Sequence, residues 1–420
     1  MEKSLSPRRR LRTFFLLLSV LGPGIIAANA DNDAGGISTY SIVGAHYGYT
    51  LLWVLLLITV SLAVTQEMGA RIGMVTGKGL SALIRERFGV KLTVFAMVTM
   101  LVANLGTATA EYAGIASSFD VLHVSKYFAV PFMGMLVWFV LYKGSFKIAE
   151  RIFLIFSSFY FVYVVAAFAT HPDWTGALQS LVVPSFQFNF PYILTAIALI
   201  GTTITPWGQF FIQSYIVDKG LTMRQYVYEK WEIYFGAILT DVISFFIIVT
   251  TANTLFVQGV RITSAADAAL ALEPLVGRFA EALFSFGLFS ASMLGAFILP
   301  VATAYPICEA LGWEWGFNRK WHEAKEFYSL ILLTIAVPAF VVLLPRISLF
   351  KIMLVSQDLN GILLPIILMY LMKIVNDSSI MGKYVNKPVF NIIAWVTIIS
   401  LILLTMLLVL FSFFPSGLFF

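Results

Sequence analysis

Apolar residues in this chain are gathered into long runs that are separated by short polar stretches. A helix needs about 20 consecutive apolar residues to cross a bilayer, and windows of that length pick out eleven runs. We number the runs segments 1 to 11 and predict that each forms a transmembrane helix. They cover residues 13–45, 50–74, 92–119, 127–141, 152–169, 192–217, 231–256, 280–307, 327–344, 349–372 and 390–414.

Segment 1 is too long for one straight span and contains a polar stretch at residues 29–36. Asp31 and Asp33 lie in this stretch, and Gly35 and Gly36 end it. An ionised carboxylate at bilayer depth costs at least about 2.5 kcal/mol, so it persists only where it lines a cavity or binds something. Adjacent glycines let the backbone leave helical dihedrals and turn its carbonyl groups toward a ligand. We therefore predict a broken helix, and the alternative is a loop between two short helices.

Segment 6 is interrupted in the same way at residues 201–209. Pro206 has no backbone N–H and clashes with the preceding turn, which frees carbonyl groups near Thr202 and Thr203. The alternative is a simple proline kink, which is common in membrane helices. Segments 1 and 6 are five helices apart, and an odd offset reverses the direction of equivalent helices. The pattern predicts two inverted halves of five helices plus an eleventh, with a substrate site where the two breaks meet near the midplane.

Single acids within other segments are also candidate functional residues, because an intramembrane charge is rarely kept without a use. Glu111 lies in segment 3, Asp241 in segment 7, and Asp358 with Asn360 in segment 10. A structural hydrogen bond is an equal alternative for Glu111 and Asp358, and it is the favoured interpretation for Asp241.

The composition agrees with a membrane protein: 60% of residues are hydrophobic and 12% are charged, whereas soluble domains carry about 25% charged residues. Cys308 is the one cysteine, and only four histidines are present. A single cysteine excludes a disulfide framework and a multi-thiolate metal site, and the sequence contains no HExxH or CxxC pairing. We expect no enzyme activity and no cofactor. The sequence leaves the oligomeric state open, and a monomer is sufficient.

The chain has 27 Lys and Arg against 22 Asp and Glu, and the distribution of the basic residues indicates a bilayer rather than nucleic acid as the partner. If Met1 is cytoplasmic, most basic residues fall on the inside, as the positive-inside rule requires. The exceptions are Lys126, Arg261, Arg278, Arg346 and Lys351. We predict a cytoplasmic N-terminus and an extracellular C-terminus.

The predicted organisation has five parts. They are a basic cytoplasmic N-terminus (1–12), a first transmembrane repeat (13–170), an extracellular loop (171–190), a second repeat (191–373) and the region of the eleventh helix (374–420).

Motifs in five segments resemble those of the Nramp-type divalent-metal transporters, and the resemblance covers most of the chain. The family patterns are GPG followed by DPGN, QxxxARxGxVTGK, AEF, MEG and SQ followed by P. The matching residues here are Gly22-Pro23-Gly24 with Asp33-Ala34-Gly35-Gly36, QEMGARIGMVTGK at residues 66–78, Ala110-Glu111-Tyr112, Cys308-Glu309-Ala310, and Ser356-Gln357 with Pro365. The resemblance implies an all-α integral membrane transporter of the LeuT type in a bacterial plasma membrane. Such a fold is a 5+5 inverted repeat with helices 1 and 6 broken, followed here by an eleventh helix.

The departures from the family's metal site bear on the cargo. The family binds metal through the aspartate and asparagine of DPGN and a methionine in helix six. Asp33 keeps the aspartate, while Gly36 replaces the asparagine and Thr205 the methionine. Losing the soft thioether removes selection against hard ions, and the smaller side chains leave room for the waters that Mg²⁺ retains. These changes resemble the Nramp-related magnesium transporter branch, which implies import of Mg²⁺ with Mn²⁺ as a second substrate.

Two further departures affect proton movement. Trp207 replaces the family's helix-six histidine and Ala108 replaces an acid of its proton route, although Glu111 remains. We therefore predict transport without obligatory proton coupling. The candidate metal ligands are Asp31, Asp33, Gly36, Thr202 and Thr205, and the candidate accessory or proton-route residues are Glu111, Gln209 and Asn360.

Three other functions stay open on the sequence. A proton-coupled transporter of Mn²⁺ and transition metals would have the same fold and a similar site. A sodium-coupled carrier of amino acids or other organic solutes is disfavoured, because Asp31 and Asp33 would repel a substrate carboxylate. A membrane-embedded enzyme or sensor lacks a nucleophile and base pair and a soluble output domain.

Overall fold

The structure, a computed structural model, describes residues 32–143, 161–317 and 319–413, and every regular element within those ranges is a helix. The helices, in chain order, are α1 (Ala34–Tyr47), α2 (Leu52–Thr76), α3 (Leu80–Val121), α4 (Lys126–Tyr142), α5 (Phe161–Ala169), α6 (Trp174–Val182), α7 (Phe190–Thr203), α8 (Pro206–Asp218), α9 (Tyr226–Thr251), α10 (Ala265–Ala269), α11 (Glu273–Val276), α12 (Ala280–Leu311), α13 (Lys325–Leu343), α14 (Leu349–Val375), α15 (Ser378–Met381) and α16 (Pro388–Phe413). A π-helical turn, Ala252–Phe256, extends α9.

Eight helical stretches in the described part of the chain are long and apolar enough to cross a bilayer. They are α2, α3, α7 with α8, α9 with its π-helical turn, α10 to α12, α13, α14 and α16, and α4 is a shorter apolar helix. The predicted all-α class is confirmed for these residues. The part of segment 1 before Asn32 and most of segment 5 lie outside the described residues, so the number of eleven spans stays a prediction.

Two helices extend beyond what the hydropathy windows predict. Helix α3 begins at Leu80, well before the apolar run at residue 92, and Gly89 bends it with a φ of 73°. Helix α6 lies within the stretch predicted as an extracellular loop, and the Asp173 side chain caps it by accepting a hydrogen bond from the Gly176 N–H at 3.0 Å. Hydropathy windows detect only long apolar runs, so they miss these two stretches of helix. The first lies before the bend at Gly89, and the second is a short helix that begins at the Asp173 cap.

Two helices of the predicted second repeat, α7 and α14, approach each other closely at glycines. A Cβ at Gly201 of α7 would overlap the backbone of α14 at Gln357 and Gly361. A Cβ at Gly361 would in turn overlap the backbone carbonyl of Ile197. The α7–α14 contact is therefore nearly backbone to backbone, and it fixes the depth of the helix that ends at the second break.

Helix α1 is packed inside this bundle. All of its residues from Ala34 to Ala45 are buried, and it contacts α9, α14 and α7. Helix α1 thus lies in the interior of the described helices.

A buried ion pair lies in the C-terminal half of α2, the end that is predicted to be cytoplasmic. The Arg71 Nε donates to Glu67 Oε1 at 2.9 Å, and the Tyr226 hydroxyl donates to the same carboxylate. Arg71 also donates to the carbonyl of Tyr384 and to Oδ1 of Asn386, both in the linker between α14 and α16. Breaking a buried pair leaves an uncompensated charge, so the QEMGARIG stretch acts here as a structural joint between α2, α9 and the last helix.

We predict that Gly201→Ala lowers stability although alanine is the better helix former. The added methyl group meets backbone atoms of α14, and overpacking of this kind costs about 1–3 kcal/mol. Gly287→Ala is the matched control, because a Cβ there meets no described atom within 4 Å, and it should leave the unfolding temperature unchanged or slightly raised. Thermal unfolding of the purified proteins in detergent checks both. A Gly201→Ala protein as stable as the parent would show that the α7–α14 approach is looser than described.

Candidate metal site

The helices that follow the two breaks begin with the same hydrogen-bonded device. Asp33 precedes α1 in an extended conformation, and its Oδ1 accepts from the Gly36 N–H at 2.7 Å. Thr205 precedes α8 in an extended conformation, and its Oγ1 accepts from the Gly208 N–H at 3.2 Å. The first N–H groups of a helix have no partner within the helix, and water cannot serve them in a bilayer. The predicted break in segment 6 is confirmed at residues 204 and 205, where the dihedrals are not helical.

The end of α7 supplies the opposite kind of group. The carbonyl of Thr202 has no helical donor, because the residue four positions on is Pro206. The Tyr40 hydroxyl and Thr203 Oγ1 lie 3.0 Å apart and hold this end of α7 against α1. Carbonyl ends of broken helices carry partial negative charge and coordinate cations in transporters of this design. The break thus presents oxygen atoms to the space beside α1.

Two carboxyl groups meet at the start of α1. Glu111 Oε2 accepts from the Ala34 N–H at 3.4 Å, and the Glu111 carboxyl group lies close enough to that of Asp33 for the two to interact electrostatically. Both residues are buried. Gly295 of α12 makes room for them, since a Cβ there would overlap the Glu111 side chain. Two adjacent carboxylates are stable only with a proton or a cation between them, so this pair is a candidate cation site.

Asn360 belongs to a hydrogen-bond network beside this pair. Its Nδ2 donates to Thr107 Oγ1 at 2.8 Å and to Gln357 Oε1 at 2.9 Å. The Gln357 side chain lies so close to Gly35 that a Cβ on that glycine would overlap it. Asn360 therefore positions Gln357 against the start of α1. Gln357 was not among the candidate ligands. The sequence feature that could have identified it is an amide side chain within an apolar span, next to Ser356.

The side chains near the second break are buried without a full set of partners. Thr202 Oγ1 and both amide atoms of Gln209 find no hydrogen-bond partner among the described residues. Gln209 lies in the first turns of α8, with its backbone carbonyl beside Gly69 of α2. Buried polar groups of this kind require water or a ligand. No hydrogen bond in the described ranges joins Gln209 to the Asp33 carboxylate.

Ala108 and Trp207, at the two positions where the family pattern has titratable groups, lie together. They form an apolar cluster between α3, α8 and α12 whose other buried members are Leu294, Ile298, Leu299 and Ala302. The Trp207 ring lies 5.6 Å, centroid to centroid, from the ring of Phe211. We call the six buried residues of this cluster, without Phe211, the apolar plug.

The structure thus brings Asp33 and Gly36 into contact at the first break, with Glu111 bonded to the neighbouring Ala34, and Thr202 and Thr205 flank the second break. Asp31 lies outside the described residues. Nowhere in the ranges that the structure describes do three His, Cys, Asp or Glu side chains lie close enough to hold one metal ion. An ion at this place would therefore need hydroxyl groups, backbone carbonyls or water to complete its coordination.

Comparisons with known proteins agree with this architecture. The sequence model of the family described as natural resistance-associated macrophage protein-like matches residues 24–411. The divalent metal cation transporter MntH of Erwinia tasmaniensis is 26% identical over 397 residues, which are 92% of this chain and 91% of that protein.

Two solved structures confirm the predicted LeuT-type fold. A crystal structure of the Eremococcus coleocola manganese transporter has a TM-score of 0.76 at 18% identity and covers 96% of this chain and 87% of that one. The structure of MhsT in complex with L-phenylalanine has a TM-score of 0.60 at 14% identity, with coverages of 92% and 98%.

We predict that the charge and the capping role of Asp33 can be separated. Asparagine is as good a helix cap as aspartate, whereas alanine loses about 1 kcal/mol. Asp33→Asn should therefore keep the unfolding temperature while Mg²⁺ affinity falls at least about tenfold, equivalent to about 1.4 kcal/mol, and Asp33→Ala should lose both. Titration calorimetry and thermal unfolding measure the two effects.

Asp173→Ala is the matched control for this prediction. It removes the cap of α6, outside the two breaks, and should lower stability without changing Mg²⁺ affinity. Parental Mg²⁺ affinity in Asp33→Asn would place the ion elsewhere.

Proposed function

The chain belongs to the natural resistance-associated macrophage protein-like (Nramp) family, and on this premise we propose that it imports Mg²⁺, with Mn²⁺ as a second substrate, without obligatory proton coupling. It is an integral membrane transporter of divalent metal ions and not an enzyme. We place it in a plasma membrane with the N-terminus inside and the C-terminus outside. The candidate ligands are Asp33, Asp31, the backbone at Gly36, and Thr202 and Thr205.

The observation that carries the Mg²⁺ proposal is the chemistry of the two breaks. Residues 32–36 and 201–209 contain no methionine, cysteine or histidine. The groups they offer are the Asp33 carboxylate, the Thr205 hydroxyl and the carbonyl of Thr202. Carboxylate, carbonyl, hydroxyl and water oxygens suit Mg²⁺, Ca²⁺ and Mn²⁺, whereas thioethers favour softer metals.

The number of ligands supports an ion that keeps part of its water. Mg²⁺ usually binds through one or two carboxylates and retains several waters. Asp33 and Glu111 provide two carboxyl groups, and Glu111 Oε1 and Thr202 Oγ1 are buried acceptors without a donor among the described residues. Hydration waters of a bound ion would supply the missing donors.

The apolar plug supports transport without proton coupling. A proton held between Asp33 and Glu111 in the empty site is displaced when a divalent ion binds. Beyond Glu111 toward the predicted cytoplasmic side, Ala108 and Trp207 offer no group that binds and releases a proton. The displaced proton then returns to the side from which the metal came.

The membrane potential supplies enough energy for import without a second ion. Each charge gains about 2.3 kcal/mol per 100 mV, which gives about 4.6 kcal/mol for a divalent ion. At about 1.4 kcal/mol per decade, this corresponds to somewhat more than three decades of concentration ratio.

One observation favours the second candidate, a proton-coupled transporter of Mn²⁺ and transition metals. The adjacent carboxyl groups of Asp33 and Glu111 form a place where a proton and a metal ion compete. The two candidates share this site and differ in where the displaced proton goes. Family membership sets the sodium-coupled organic-solute carrier aside.

We predict that Gly36→Asn combined with Thr205→Met shifts preference from Mg²⁺ toward Mn²⁺ and Cd²⁺, because it adds a thioether and narrows the site. The methionine also removes the cap on Gly208. Gly36→Asn with Thr205→Val therefore serves as the control, since valine removes the same cap without adding a soft ligand. Calorimetric titration with each metal is the measurement. An equal preference in both double variants would contradict the argument from ligand softness.

We predict that metal influx does not acidify proteoliposomes. The vesicles contain a pH-sensitive dye, and a potassium diffusion potential drives Mg²⁺ or Mn²⁺ inward at a rate that a metal-sensitive dye records. Asp33→Asn vesicles give the passive leak. Internal acidification that follows metal influx above this leak would support the proton-coupled candidate and overturn ours.

A further inference from the structure

A hydrogen bond between two side chains joins α1 to α7, the helices that lie beside the two breaks. The Tyr40 hydroxyl of α1 lies 3.0 Å from Oγ1 of Thr203, the last residue of α7. Thr203 Oγ1 donates to the carbonyl of Leu199 at 3.1 Å, so it accepts from Tyr40 in this pair. Both Tyr40 and Thr203 are fully buried. The bond therefore links the first predicted repeat to the second where bulk water does not compete for it.

Candidate ligands lie next to this bond on both of its sides. On α7, Thr203 follows Thr202, whose backbone carbonyl has no helical donor. On α1, Tyr40 is four residues beyond Gly36 and so on the same face of the helix, and Asp33 accepts from the Gly36 N–H. A change in the distance between Tyr40 and Thr203 would therefore change the spacing of the oxygen atoms that the two breaks offer.

Helix α14 contacts the same two helices in a different way. The Gln357 side chain lies against Gly35 of α1, and the Gln357 carbonyl lies against Gly201 of α7. Close packing of this kind resists further approach much more strongly than separation. A hydrogen bond resists separation, because it weakens steeply once its distance and angle depart from the optimum. The bond between Tyr40 and Thr203 thus complements the packing on α14, and together they fix the spacing of α1 and α7.

The spacing of the breaks matters for the choice between hard divalent ions. Mg²⁺ requires near-ideal octahedral geometry at about 2.0–2.1 Å, whereas Ca²⁺ accepts about six to eight oxygen ligands in flexible geometry at about 2.3–2.6 Å. Selectivity between the two ions therefore depends on the size and the rigidity of the site. Loosening the site would harm Mg²⁺ binding more than Ca²⁺ binding.

We propose that Tyr40 is a positioning residue that determines specificity: through its bond to Thr203 it holds the two breaks at a spacing that suits Mg²⁺ better than Ca²⁺. Tyr40 itself is not a ligand in this proposal. The proposal rests on the proposed function, because it takes the two breaks as the site of a divalent ion.

Calorimetric titration of the purified protein with Mg²⁺ and, separately, with Ca²⁺ tests this inference. Tyr40→Phe removes only the hydroxyl group. The Kd for Mg²⁺ should rise at least about fivefold, equivalent to about 1 kcal/mol, while the Kd for Ca²⁺ should stay within about twofold of the parent value. A merely structural role would weaken the binding of both ions alike, so the ratio of the two constants is the readout.

Three further variants separate the bond from the residue. Thr203→Val removes the acceptor and should shift the ratio in the same way, and it also serves if Tyr40→Phe fails to fold. Thr203→Ser keeps the hydroxyl group and should keep the parent ratio. Tyr112→Phe is the matched control, because Tyr112 is buried beside Gly134 of α4 and its hydroxyl has no partner in the described ranges. Neither constant should change in this control.

The possible results distinguish this inference from the proposed function. If the parent binds Mg²⁺ and Tyr40→Phe keeps the parent ratio, the inference is wrong while the proposed function stands. An equal loss for both ions, or a shift in Tyr112→Phe as large as that in Tyr40→Phe, would also overturn it. A parent protein that binds no Mg²⁺ would instead contradict the proposed function, and the inference with it.

Discussion

Unpaired backbone groups at bilayer depth are the constraint on which this structure depends. Each interrupted segment leaves the start of a helix where water cannot reach it. The chain meets the constraint twice with one solution, a side-chain oxygen that accepts from the N–H three residues on, from Asp33 to Gly36 and from Thr205 to Gly208. The caps anchor the breaks, and the breaks leave the carbonyl end of α7 and the Asp33–Glu111 pair facing a common region. The position of the candidate site thus follows from the side-chain caps at the first turns of α1 and α8.

Much of this follows from the sequence because membrane insertion is governed by simple quantities. Polar residues inside apolar runs located both breaks, and an odd helix offset indicated inverted repeats. The close approaches at Gly201, Gly295 and Gly361 were beyond reach, because they depend on which backbone lies opposite each glycine. The hydrogen bond from Asn360 to Gln357 was hidden for the same reason. Period and composition show which residues are unusual, and tertiary contacts show what each one touches.

Ala108 and Trp207 illustrate how two separate departures from a pattern can be one physical change. In sequence they are almost 100 positions apart, and each could be read as a lost titratable group. In the structure they share one apolar cluster, so the two departures change one place in the molecule rather than two. A titratable side chain restored at either position alone would face a hydrocarbon surface and would itself be costly to ionise.

The joint between α2 and the last helix changes what counts as a complete transport unit. Arg71 binds the linker before α16 through Tyr384 and Asn386, and its guanidinium lies 5.9 Å from the Phe390 ring centroid. The described helices before residue 376 therefore do not supply all of the hydrogen-bond acceptors of Arg71. A version of this protein shortened before residue 376 would leave Arg71 with Glu67 but without its acceptors at Tyr384 and Asn386, so minimal designs on this scaffold have to retain the asymmetric tail or rebuild residue 71.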